Sequence, residues 1–109
     1  MKWYHHIACF FAGVFIVNGL PHFIHGLEGD AFPTPFADPP GTGLSSPVVN
    51  MMWALVNFGL SAWLLRVGRV SFQKNWTWIL LLMGISATGL MMSYLAPTVL
   101  ELYKNSKTY

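Results

Sequence analysis

Three stretches of this chain contain no Lys, Arg, Asp or Glu, and the remaining sequence is arranged around them. The first lies between Lys2 and Glu28, the second covers residues 47–65 and stops at Arg66, and the third covers residues 76–100 and stops at Glu101. Apolar side chains follow one another in these stretches without the polar alternation of a membrane barrel strand. Backbone N–H and C=O groups in hydrocarbon must be satisfied within the segment, which selects helices for such runs. A helix rising ~1.5 Å per residue needs ~20 residues to cross a ~30 Å hydrocarbon core. The pattern predicts an all-α integral membrane protein of one domain, residues 1–109, with three transmembrane helices over about 3–24, 47–66 and 76–100. Between and after them lie an outer loop (25–46), an inner loop (67–75) and a C-terminal tail (101–109). A cleaved signal peptide is disfavoured for the first run, because Asn18-Gly19-Leu20-Pro21 stands where a small-x-small cleavage site belongs.

The loop between the first two helices is rich in Pro and Gly. Pro33, Pro35, Pro39 and Pro40 fix φ and push their preceding residues toward extended geometry, while Gly41 and Gly43 permit a sharp reversal. Phe32 and Phe36 are residues a flexible linker would lack, so the loop is expected to be ordered, with both rings folded back onto the helix ends. Ser45 or Ser46 before Pro47 reads as an N-cap with proline in the first turn of the second helix.

Composition agrees with this reading. The chain is 54% hydrophobic and 9% charged, against roughly 25% charged in a soluble domain, which leaves too few charges to solvate a globular surface. The basic residues form no patch, so nucleic acid is not an expected partner. Cys9 is the lone cysteine, so no intrachain disulfide forms. Lys2, Arg66, Arg69 and Lys74 flank one set of span ends, whereas segment 25–46 has no Lys or Arg and carries Glu28, Asp30 and Asp38. Basic residues are retained on the cytoplasmic side. The expected orientation in a bacterial-type inner membrane is N terminus inside, with the long loop and the C-terminal tail, including Lys104 and Lys107, outside. Trp3, Tyr4, Trp76, Trp78, Tyr94 and Tyr103 fall near the span ends, where amphipathic rings settle.

Amides inside apolar spans need partners, because an unpaired one costs several kcal/mol. Asn50, Ala54, Asn57 and Ser61 recur at steps of four, three and four, on one face of the second helix. In the third helix Gly84 and Thr88 form one small-residue step, and Ser86, Gly89 and Ser93 mark a neighbouring stripe. Asn57, Ser61, Gly84, Thr88 and Gly89 are therefore candidate helix-packing positions. Asn18, Asn50, Ser93 and Tyr94 fall at similar depth below His22, His25 and Glu28, which suggests a cavity near the outer surface, roofed by the Pro-rich loop, with Asn18, His22, His25, Asn50, Phe36 and Tyr94 as candidate ligand-binding residues and Glu28 as a further candidate in the lining. His22, His25 and Glu28 recur every three residues and would share a narrow face, so they form a candidate metal set that lacks a fourth ligand.

No nucleophile triad, phosphate-cradling glycine loop, paired Cys motif or intramembrane carboxylate is present, so no catalytic residues are assigned and an enzyme is the less favoured class. No cofactor is expected; a metal ion or haem at His22 or His25 is the weaker alternative. Small-residue stripes on several helices offer more packing surface than one bundle uses. The leading expectation is therefore an accessory subunit of a larger membrane complex, or a homo-oligomer, whose partners are the bilayer and other membrane subunits or further copies of itself. The alternatives are a protein binding a lipid-like or quinone-like small molecule or a metal at the outer interface, and an oligomeric transporter or channel.

Overall fold

The computed structural model describes residues 2–69, 71 and 73–106; Lys107 lies outside the described residues, as do the side chains of Tyr103 and Ser106. Three helices dominate: α1 over Trp3–Glu28, α2 over Pro47–Val67 and α3 over Asn75–Ser106. All three are long and apolar enough to cross a membrane. Between α1 and α2, β1 (Phe32–Pro33) and β2 (Leu44–Ser45) pair antiparallel, with Phe32 opposite Ser45 and Pro33 opposite Leu44.

The helices overrun the expected span ends. α1 passes through Pro21 and stops at Glu28, where Gly29 takes φ 75° and the Asp30 N–H reaches back 2.9 Å to the His25 carbonyl. A left-handed residue after the last turn suits glycine, which has no Cβ to clash. α3 likewise passes through Pro97 and continues to Ser106. α2 begins as its sequence suggests: the Ser46 hydroxyl accepts a hydrogen bond from the Val49 N–H, and Pro47 fills the first turn.

α1 is the centre of the molecule. α2 runs antiparallel to it, pairing Gly68 with Ala8 and His5, Ser61 with Ala12, Asn57 with Asn18 and Gly19, and Met51 with Gly26. α3 runs parallel to α1 on another face, pairing Thr77 with Cys9, Leu81 and Gly84 with Gly13, and Gly89 with Val17. The packing is close because the residues are small. A Cβ added at Gly84 would overlap the Phe10 carbonyl, and one at Gly13 would press on the Leu81 carbonyl. Cys9, Ala12 and Leu81 form the small apolar core at this seam.

Both outer helices pack on α1 rather than on each other, so most of their large apolar side chains stay uncovered. Leu55, Val56, Trp63, Ile79, Leu82, Leu90 and Met91 are all more than half exposed. The accessible surface is 7108 Å², above the ~6,100 Å² expected of a compact soluble protein of this mass. The buried polar groups face inward and the apolar ones outward, an arrangement that suits hydrocarbon surroundings.

Candidate functional site

The α1–α2 interface is a polar seam in which side chains bond across the helices. At its basic end the Ser61 hydroxyl donates to the Ala12 carbonyl at 2.8 Å. Midway, the Asn18 amide donates to Asn57 Oδ1 at 2.8 Å, while Asn57 Nδ2 donates to the Trp53 carbonyl at 2.8 Å. The four-residue stripe of α2, Asn50, Ala54, Asn57 and Ser61, is buried along its whole length against α1. Gly84 and Thr88 of α3 are buried too, and Gly89 is half-buried beside Val17.

At the far end the seam becomes a structured site around Asn50, which is wholly buried. Its Nδ2 lies 3.0 Å from the Phe32 carbonyl, 3.2 Å from that of Ser45 and 3.0 Å from that of Ser46. Three carbonyl oxygens around one end of the amide identify that end as the NH2 group, because the flipped amide would set oxygen against oxygen. Asn50 Oδ1 is therefore the acceptor that faces His22 Nδ1 at 2.7 Å. An amide oxygen cannot donate, so His22 Nδ1 carries the proton. In the neutral ring Nε2 is then an unprotonated acceptor. Nε2 has no hydrogen-bond partner among the described residues and, unlike Nδ1 of His25, is not sealed from its surroundings.

Asn50 thus links two things: it clamps the β1–β2 pair onto the start of α2, and it orients a histidine of α1. The Thr34 and Ser45 hydroxyls bond to each other across the β1–β2 connection, and the Thr34 carbonyl accepts from the N–H groups of Ala37 and Gly41. The Phe32 ring contacts both imidazoles, T-shaped to His22 at 5.4 Å and stacked on His25 at 4.1 Å with an interplanar angle of 13°.

Beside His22 lies a cavity of about 210 Å³, walled by Phe32 and Pro33 of β1 and by Met92, Leu95, Ala96, Val99 and Leu100 of α3. His22 is the polar residue in that lining; the rest is hydrocarbon and aromatic ring. The volume falls below the ~300–1,000 Å³ of sites that enclose a whole drug-sized ligand. A ring or head group fits inside, with any longer tail leaving along the α3 flank.

The other candidates spread around this centre. Asn18 is engaged deeper in the seam with Asn57. Phe36 lies on the α2 side, edge-on to Trp53 at 5.1 Å, and is exposed, as is Tyr94 on α3; neither lines the His22 cavity. Of the His22, His25 and Glu28 set, the last two gather with Asp30, their potential ligand atoms lying within 4.8 Å of one another, while His22 faces Asn50. His25 Nδ1 stands 3.8 Å from an Asp30 carboxylate oxygen, beyond hydrogen-bond reach. Both carboxylates are exposed. Sequence reasoning misses Phe32 as the ring that contacts both imidazoles, and it misses the α3 wall. The spacing of Met92, Ala96 and Val99 at steps of four and three is the signal that marks that wall as one face.

Comparison with protein-family models, curated proteins and solved structures finds no match to this chain.

Proposed function

We propose that the protein is a three-span membrane protein that binds a small amphiphile in the His22 cavity, the head group against the imidazole and the tail in the bilayer. The observation that carries this reading is a tautomer-fixed histidine with one free ring nitrogen, set in an otherwise apolar cavity. Orienting a buried ring through a fully engaged amide is the arrangement expected of a binding group. His22 has no nucleophile or carboxylate bonded to it among the described residues, which favours binding over catalysis.

The proposed placement is an inner membrane of bacterial type, with the N terminus in the cytoplasm. The close approaches of Gly68 to His5 and of His6 to Trp76 gather Lys2, Arg66, Arg69 and Lys74 at one end of the helices, and Glu28, Asp30 and Asp38 stand at the other with the β1–β2 segment. That separation of charge supports an outer position for the cavity.

Native mass spectrometry after extraction in a mild detergent tests the binding reading. The wild-type protein should retain a bound amphiphile, and Ala96→Phe, which fills the cavity from α3, should lose it. Identical bound species in the two proteins, or none in either, would refute the proposal.

A second reading, association with further copies or with another membrane subunit, is favoured by α3. Ser86 and Ser93 are exposed seven residues apart on that helix, whereas the α2 stripe is already occupied by α1 and offers no surface to a partner or to a solute path.

A further inference from the structure

The tautomer of His22 points to the chemistry of the head group. We infer that the cavity selects an amphiphile whose head donates a hydrogen bond, an alcohol or phenol, over an otherwise equal ketone or ether. The inference rests on the amphiphile-binding reading and narrows it.

The carbonyls of Phe32, Ser45 and Ser46 hold the amino end of Asn50. That leaves Oδ1 to accept the proton of Nδ1, and the neutral ring presents a lone pair at Nε2. A ligand hydroxyl satisfies that lone pair. A carbonyl or ether oxygen would meet it with a second lone pair, and beside apolar walls the repulsion is poorly screened. The ring cannot escape by exchanging its proton between nitrogens, because Nδ1 would then face Asn50 Oδ1 acceptor to acceptor. Nor can Asn50 flip to accommodate the exchange without turning its oxygen toward three carbonyls. Selectivity at the cavity therefore originates in the main-chain carbonyls that hold Asn50. A cavity of about 210 Å³ has room for one ring beside His22.

The test uses two probes that share ring and tail and differ by one methyl group on the head oxygen, 4-decylphenol and its methyl ether 4-decylanisole, titrated into the full chain in lipid nanodiscs. Occupancy is read from the methyl signal of carbon-13-labelled Met92, which lines the cavity, and contact with the imidazole from the nitrogen-15 shift of His22 Nε2. The phenol should bind about tenfold more tightly than the ether in bilayer mole fraction, the factor expected of one hydrogen bond made or missed in an apolar site. Only the phenol should move the Nε2 signal. His22→Phe should bring the phenol down to the level of the ether. The wild-type nitrogen shift carries the same test should that variant fail to fold. Equal binding of both probes, with Met92 shifted and Nε2 unmoved, overturns donor selection while leaving amphiphile binding intact. Tighter binding of the ether overturns it as well. A Met92 signal unmoved by either probe overturns both proposals together.

Discussion

Removing Asn50 should disturb two parts of the molecule at once, and a double-mutant cycle with His22 separates them. The amide nitrogen has two hydrogens for three carbonyl oxygens at 3.0, 3.2 and 3.0 Å, so the clamp amounts to two good hydrogen bonds at any instant. At about 1 kcal/mol each, their loss in Asn50→Ala costs about 2 kcal/mol. The His22 Nδ1–H, left without an acceptor in a buried position, adds about 1–3 kcal/mol. The expected total is about 3–5 kcal/mol, measured as reversible unfolding in mixed detergent micelles. His22→Ala should also destabilise. The double variant should be less unstable than the sum by about 1–2 kcal/mol, toward the upper end of hydrogen-bond couplings measured between membrane helices, because the first substitution already breaks the 2.7 Å contact. Asn50→Asp sharpens the cycle: a carboxylate still accepts from Nδ1 yet cannot donate to the carbonyls, so it should be more destabilising than Ala while keeping its coupling to His22. Additivity of the two Ala substitutions within about 0.3–0.5 kcal/mol would refute the linkage, however unstable either single variant proved.

Other expectations follow from the two seams. Gly84→Ala places a Cβ against the Phe10 carbonyl and should destabilise by about 1–3 kcal/mol as overpacking; an unchanged unfolding transition would mean that α3 does not sit this close to α1. Ser61→Ala removes the 2.8 Å bond to the Ala12 carbonyl and should cost about 0.5–1.5 kcal/mol, checked in the same unfolding assay. For orientation, a cysteine at Asp38 should react with an impermeant maleimide added outside intact cells and one at Arg69 only after permeabilisation, with buried Cys9 silent in both; the reverse order would invert the proposed topology.

The three helices are legible because long uncharged runs leave few other choices, and the polar stripe of α2 is legible because a period near 3.6 sets Asn50, Ala54, Asn57 and Ser61 on one face. The stripe's use is not legible. Small residues can pack within a chain or between chains, and here Gly13, Gly19 and Gly26 of α1 let it serve as a central helix with close neighbours on two sides. The helix ends are less legible: the expected spans stop near residues 24 and 100, where a bilayer's thickness is filled or Glu101 stands, whereas α1 runs through Pro21 to Glu28 and α3 through Pro97 to Ser106. At the site, the depth of Asn50 and His22 is readable from the count of residues along each helix. The pairing of Phe32 with both imidazoles, and the wall from Met92 to Leu100, depend on how the β1–β2 segment folds and where α3 crosses. Periodicity groups Met92, Ala96 and Val99 on one face of α3, but neither it nor composition encodes what that face covers.

The central claim is that main-chain carbonyls, acting through Asn50, fix the proton of a buried imidazole on Nδ1. Nitrogen-15 magic-angle-spinning NMR of histidine-labelled protein in lipid bilayers at neutral pH measures this directly, with His22 assigned by its loss in His22→Phe. The account predicts a protonated, pyrrole-type signal for Nδ1 and an unprotonated, pyridine-type signal for Nε2, with the Nδ1 proton coupled to the Asn50 side chain. A pyridine-type Nδ1 beside a protonated Nε2 would contradict it.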